Sequence, residues 1–416
     1  MLDQFVESRD TVRRLRSGVL GAHLDSFAEH LARCGYAAAT ARSQLTLLGH
    51  FDQWMARRGR ELGELNDELV GKFVQDRTRL GKLQRGESVA VRQFLTHLRA
   101  HGVIPSPAPV IDETPLGRLQ RQYEQYLVLE RGLAPATVTN YCGYFRGFLS
   151  ERFGKGPMNL RALDVSTVTT FVVRQAPTMS PGRAKLMGTA LRSIFQFLLQ
   201  RGAIERDLAG CVPRMSDWRL ATIPKYLSPD EVERLLQACD CQTSVGRRDQ
   251  AILLLLARLG LRAGEIVAFE LDDIHWRAGE MTVRSSKRLP QDCLPLPREV
   301  GEALATYIRR DRPTHPTRRV FLCTKAPRRG FTGPSTVSTI VRRALARAGL
   351  CPAIKGAHLL RHSLATRMLR HGASLPEIGQ VLRHRAVNTT EIYAKVDDIA
   401  ARRNGRCRGA WPVGPW

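Results

Sequence analysis

Residues 355–396 read KGAHLLRHSLATRMLRHGASLPEIGQVLRHRAVNTTEIYAKV. Within them lie an H-x-x-R pair (His358, Arg361), a later histidine (His384) and a tyrosine nine residues beyond it (Tyr393). An i, i+3 spacing puts His358 and Arg361 on one face of a helix. A guanidinium offers a planar, bidentate fork to phosphate oxygens. A phenol can attack phosphorus if it is deprotonated or its developing charge is stabilised. Asn388-Thr389-Thr390-Glu391 has the form of a capping box, which predicts Tyr393 in the early turns of a new helix.

The surrounding composition points the same way. The chain has 416 residues and a net charge of +25, with a sequence pI near 10.6. Residues 340–410 alone hold 14 Lys/Arg against 4 Asp/Glu. Such an excess disfavours a generic small-molecule enzyme and favours a polyanionic partner, nucleic acid above all. Nine cysteines are scattered without a paired C-x-x-C spacing, which argues against a zinc site and suits a reducing compartment. The segment MLDQFVESRD lacks an apolar signal core, and the apolar run 251–257 is far too short to span a bilayer. The expectation is a soluble, cytoplasmic protein with no membrane partner.

Working outward, residues 226–416 form the expected third domain. Ser228-Pro229-Asp230-Glu231 predicts a firm helix start, with Ser228 as N-cap, Pro229 at the first helical position and Glu231 closing a capping box. The stretch RDQAILLLLARLGLRAGEIVAF predicts a helix buried all round, broken at Gly260 and followed by Arg262. Alternating segments (FELDDIHW, EMTVRSS, CLPLP) predict a small antiparallel sheet, with Lys287 between the last two. Helices are predicted again over 299–310 and 336–349.

Upstream, CGYAAATARSQLTLLGHFD is echoed 97 residues later by RGLAPATVTNYCGYFRGFL. Gly35 matches Gly132, Thr40 matches Thr137 and Phe51 matches Phe148. Two copies of one four-helix module are therefore expected, over 1–104 and 116–205. They are joined by a proline-rich linker, 105–115, and followed by a second linker, 206–225. The second helix of the first copy is expected to begin at Thr40. Basic residues are dense over 54–101 (Arg57, Arg58, Arg60, Lys72, Arg77, Arg79, Lys82, Arg85, Arg92, Arg99). The first copy either lengthens a DNA footprint or mediates protein contacts.

In sequence order, Arg262, Lys287, His358-x-x-Arg361, His384 and Tyr393 resemble the active-site set of the tyrosine recombinases, the phage-integrase family. Leu259-Gly260-Leu261-Arg262-x-x-Glu265 resembles the first arginine box of that family. Val283-Arg284-Ser285-Ser286-Lys287 is similar to its lysine hairpin, although the usual glycines are missing. His358-Leu359-Leu360-Arg361-His362-Ser363 resembles the second box, and Leu382-Arg383-His384 with Thr389-Thr390 and Ile392-Tyr393 resembles the last. Arg383 stands where the family commonly has glycine. The resemblance covers roughly 118–400.

The resemblance implies a mainly α (α+β) fold, with helical SAM-like core-binding modules and a mixed α/β catalytic domain holding a small antiparallel sheet. It implies that Tyr393 attacks the scissile phosphate and forms a 3′-phosphotyrosyl link. Arg262 and Arg361 would clamp the non-bridging oxygens, and His384 would donate to the phosphate. His358 would assist proton transfer from the tyrosine or bond the phosphate, and Lys287 would protonate the leaving 5′-oxygen. Glu265 and His362 would support these groups. No cofactor, metal or ATP is implied. The implied partners are double-stranded DNA sites and other recombinase subunits in a tetramer. The implied role is integration or transposition of a bacterial mobile element; alternatives are resolution of chromosome or plasmid dimers, topoisomerase-like relaxation, and a non-catalytic DNA-binding accessory of the same fold.

Overall fold

Two stretches of the chain run through the same order of helices, and the computed structural model shows how local sequence produces it. The structure describes residues 1–82, 84, 86–107, 111–154, 156–214, 225–284, 292–384 and 389–393. The chain divides into two compact units, one of Met1–Pro107 with Ile223–Trp416 and one of Ala108–Thr222.

In the first stretch, a short leading helix α1 (Arg9–Arg16) precedes α2 (Gly21–Arg33), α3 (Ala38–Ala56), α4 (Asp67–Arg79) and α5 (Glu87–Ala100). The second has α6 (Pro115–Gln125), α7 (Pro135–Phe153), α8 (Val165–Gln175) and α9 (Pro181–Gln200). The punctuation repeats along with the helices. A glycine in the left-handed region precedes α3 and α7 (Gly35, φ +72°; Gly132, φ +58°). A 3-10 turn and a side-chain cap, Asn66 or Asp164, open α4 and α8. Each copy buries its own apolar core: Phe27, Phe51 and Phe94 in the first, Tyr123, Phe145, Phe148 and Phe195 in the second. Tyr123 is fully buried, and its hydroxyl donates to Ser193 Oγ at 3.1 Å.

Two local expectations shift. The second helix begins at Ala38 rather than Thr40, because extended Ala37 already serves as its N-cap. The segment read as a linker from 206 starts with packed residues: Leu208, Ala209 and Val212 are buried against the second copy's core.

The stretch from residue 225 onward starts as the sequence predicts. Ser228 caps α10 (Pro229–Gln237) in a complete capping box with Glu231. Helix α11 (Ser244–Leu259) is buried on nearly every side and packs against α13 (Arg298–Arg310) and α15 (Ala357–Arg370). It ends at Gly260 (φ +58°), and α12 (Ala263–Ala268) begins three residues later. Strands β1 (Ile274–His275), β2 (Glu280–Val283) and β3 (Asp292–Pro295) form an antiparallel sheet in that order, with Ile274 opposite Met281 and Met281 opposite Leu294. Helices α14 (Pro334–Arg347) and α16 (Leu375–Val381) complete the layer around α15. The fold class is thus mainly helical with one small antiparallel sheet. Among the described residues no helix is long and apolar enough to cross a membrane.

Candidate active site

The site forms where the end of α11, the face of α15 and the segment after α16 meet. Gly260 makes that meeting possible. Its left-handed backbone ends α11, and a Cβ there would lie 2.7 Å from Leu382 Cδ2 and 3.0 Å from Leu364 Cδ2. A side chain would therefore be strained in φ and overpacked as well. The Gly260 carbonyl accepts a hydrogen bond from the Arg361 guanidinium, as does the Leu382 carbonyl. Arg361 is buried, at 3% exposure, and these two carbonyls fix its plane. A guanidinium has five N–H donors, so the others remain for an anion.

Arg262 caps α12. Its backbone N–H donates to Glu265 at 2.8 Å, and its guanidinium reaches the same carboxylate at 2.7 Å and the Arg383 carbonyl at 3.0 Å. Arg383 closes the circuit by donating to Glu265 Oε2 at 2.7 Å. Burial pushes the Glu265 carboxyl up, but Arg383 and Arg262 together hold it below the usual carboxylate range. Arg262 and Arg383 thus share one buried carboxylate, with Arg361 as a third guanidinium close by; Asp292 approaches Arg383 from the rim at 3.8 Å. Burial first, and then Arg262 and Arg383, lower Arg361 to about 10. An uncompensated positive site of this kind is built for an anion.

Arg383 is also the one described non-glycine residue with a positive φ, +54°. That backbone conformation accounts for a position at which glycine would fit. Arg383 accepts the strain and in return places its guanidinium on Glu265.

Tyr393 is the last residue of a 3-10 turn, Glu391–Tyr393, with its N–H bonded to the Thr390 carbonyl at 3.0 Å. The helix expected to carry Tyr393 would run on past residue 393, and both that continuation and the proposed cap at Asn388 lie outside the described residues. The side chain is buried, at 1% exposure, and packs with Ile378, Leu382 and Ala365. Its hydroxyl lies 2.8 Å from His362 Nδ1. The His384 ring is nearly parallel to it, with centroids 6.5 Å apart, and His384 Nδ1 bonds Thr390 Oγ1 at 2.8 Å. Burial pushes the phenol up to about 12, against the pull of Arg361. His362 and His384 are both held down at about 4, chiefly by burial and then by neighbouring cations and imidazoles. His358, one turn before His362 on α15, is lowered by desolvation, Arg361 and Arg262, and its ring centre lies 6.3 Å from that of His362.

The structure therefore brings together Arg262, Glu265, His358, Arg361, His362, His384 and Tyr393. Lys287 lies outside the described residues. Two contacts were not visible in the sequence: the tyrosine hydroxyl meets His362, not His358, and Arg383 is an integral part of the arginine cluster. Spacing along α15 puts both His358 and His362 on the Arg361 side, so only the three-dimensional approach of Tyr393 separates them.

A mixed catalytic fold with paired arginines, histidines and a single tyrosine at the end of the set defines a class, and comparison with known proteins agrees. The phage integrase family matches residues 225–399. A Sinorhizobium fredii (strain NBRC 101917 / NGR234) protein described as an integrase/recombinase, y4rA, is 43% identical over 400 residues, covering 96% of this chain and 97% of its own. Tyrosine recombinase XerD of Listeria monocytogenes serotype 4b (strain F2365) is 28% identical over 296 residues, 68% of this chain and 95% of its own. The solved structure of the XerH site-specific recombinase bound to palindromic difH substrate, a post-cleavage complex, shares the fold with a TM-score of 0.55 and 18% identity, over 75% of this chain and 93% of that one. The chain belongs to the phage integrase family, the tyrosine recombinases.

Proposed function

We propose that this chain is a site-specific DNA recombinase that cleaves and rejoins duplex DNA through a 3′-phosphotyrosyl intermediate at Tyr393. The observation that carries this reading is the excess of guanidinium charge at Arg262, Arg361 and Arg383 beside a buried phenol. A phosphodiester is an anion of the right size and charge to occupy that site. Arg262 and Arg361 hold its non-bridging oxygens and stabilise the charge that builds there as the Tyr393 oxygen attacks. His384 and His358 donate to the same phosphate. Lys287 protonates the departing 5′-oxygen. Attack by a partner strand's 5′-hydroxyl reverses the step, so the bond energy is conserved in the phosphotyrosine and no ATP is required.

The module 116–205 is proposed as the core-binding domain that grips the duplex ahead of the catalytic domain 226–416. By analogy with the DNA-bound relatives, the working assembly is a multimer on two sites, a tetramer in the simplest case. Full-length similarity to an integrase/recombinase, first helical module included, favours integration or transposition of a mobile element over dimer resolution; the XerD match leaves about a third of this chain uncovered.

Nicked duplexes carrying the sequences that flank the gene test this reading. A nick close to the cleavage site lets the short 5′-hydroxyl strand diffuse away and traps the adduct. The wild-type chain should yield a protein–DNA adduct stable to denaturation, and Tyr393→Phe none. An adduct that survives the substitution would overturn the assignment.

A further inference from the structure

We propose that His362 is the general base for Tyr393, taking the phenolic proton as the Oη–phosphorus bond forms and returning it when the bond is reversed. The inference deepens the proposed function and rests on Tyr393 being the nucleophile.

His362 Nδ1 lies 2.8 Å from the tyrosine oxygen, the heavy-atom separation that direct proton transfer requires. Among the described residues no other acceptor meets that hydroxyl. A buried O–H left without an acceptor is strongly disfavoured, so the consistent arrangement has Tyr393 donating and the imidazole carrying its own proton on Nε2. The other histidines are placed differently: His384 spends its Nδ1 on Thr390 Oγ1 and lies ring-to-ring with the tyrosine, and His358 lies one turn back along α15, its ring centre 6.3 Å from that of His362. His362 is also rigidly placed. It follows Arg361, whose two carbonyl anchors fix the α15 backbone against Gly260 and Leu382.

The proton and electron balance closes without another reactant. The tyrosine oxygen forms its bond to phosphorus, the bond to the 5′-oxygen breaks, and the phenolic proton passes to His362. The leaving oxygen receives its own proton from the acid on the other side of the phosphate. In rejoining, the incoming 5′-hydroxyl loses its proton to that acid's conjugate base, and the His362 imidazolium reprotonates the departing phenolate.

The surroundings also make the transfer conditional on DNA. In the free protein the imidazole is held far below the phenol by burial, His358 and Arg361, so the proton stays on the tyrosine. A phosphodiester held by Arg361 offsets the guanidinium that helps depress His362 and places negative charge beside it that favours imidazolium. Tyr393 is thereby activated only when a phosphate is present to be attacked.

The test separates nucleophile activation from leaving-group protonation. Single-turnover adduct formation is measured on matched nicked duplexes with either oxygen or sulfur at the 5′-bridging position of the scissile phosphate. Sulfur leaves without needing an acid, so it rescues loss of the acid but not loss of the base. His362→Asn keeps an acceptor near the Nδ1 position without a usable base. The account predicts a loss of about 100-fold or more on both substrates, within the range of general-base catalysis, with duplex affinity unchanged. Retention of rate within a few-fold, or rescue by sulfur, would overturn it. If the variant does not fold, the wild-type rate on the sulfur duplex should rise with pH through one ionisation and level off below pH 9; a flat profile, or a climb without inflection to pH 10, overturns the proposal. Failure of the nucleophile reading looks different: the wild-type adduct then persists in Tyr393→Phe.

Discussion

At the scale of single residues, the site is a balance between cations and burial. Arg383 shows it best. A left-handed non-glycine residue costs about 1 kcal/mol relative to glycine, so Arg383→Gly relieves strain. It also removes one of the two guanidinia on the buried Glu265 carboxylate, and losing a partner from a buried pair costs more than that. The substitution should therefore destabilise the protein by roughly 1–2 kcal/mol in chemical denaturation, and a net stabilisation would contradict the reading of Arg383 as a structural partner of Glu265. The histidines give a pH dependence. His362 and His384 are held near 4, below their ordinary value of 6.5, so the unfolded chain binds protons first as pH falls. Their contribution is complete above the unfolded value and is lost between about pH 6.5 and pH 4. Melting temperature should drop on the order of 5 °C from pH 7 to pH 5, and His362→Asn should blunt that drop.

At the scale of elements, the ends of helices do more than their interiors. The last turn of α11 converts a buried apolar helix into a platform for Arg361 by way of the Gly260 carbonyl. Gly260→Ala puts a Cβ into Leu382 and Leu364 at a positive φ, and should cost roughly 2–4 kcal/mol by combined strain and overpacking. Thermal unfolding would check it; a neutral change would mean that this corner repacks freely. Much of this layer was legible beforehand. The Ser228–Glu231 capping box, the all-round apolar α11, the three short strands and the repeated helical module each follow from local rules of capping, periodicity and proline placement. What escaped was non-local. Nothing in the spacing of His358 and His362 says which one a tyrosine 31 residues downstream will meet. Nothing in the letter Arg383 reveals a left-handed backbone, since that conformation is imposed by the turn leaving α16. The burial of Tyr393 against Ile378 and Leu382 is likewise a tertiary contact that no local spacing announces.

At the scale of the whole molecule, the positive charge is unevenly available. In the first helical module five of the basic residues that suggested DNA binding are already paired: Arg58 with Asp76, Arg60 with Glu64, Lys72 with Glu68, Arg77 with Glu87 and Arg99 with Asp67. A cation already held by a carboxylate neutralises less phosphate charge and so displaces fewer of the counterions condensed on DNA, and we propose a protein-contact role for residues 1–104 on that ground. Replacing Arg57, Arg79 and Arg92 together by alanine should leave the slope of log affinity against log salt within about one unit of wild type. A fall of nearly three units, as three lost phosphate contacts would give, would place the module on DNA. Within the compact unit that joins residues 1–107 to 223–416, the Arg328 N–H donates to the Cys34 carbonyl at 2.8 Å beside Gly35.

The proposed reaction turns on one atom, the hydroxyl oxygen of Tyr393. Its attachment to DNA can be read directly by trapping the adduct on a nicked duplex, digesting the protein and the DNA, and sequencing the modified peptide by mass spectrometry. The account predicts a 3′-linked nucleotide on the tryptic peptide spanning 386–395, at Tyr393. A nucleotide on Tyr307, on a serine or on any other residue, or one linked through its 5′ end, would contradict it.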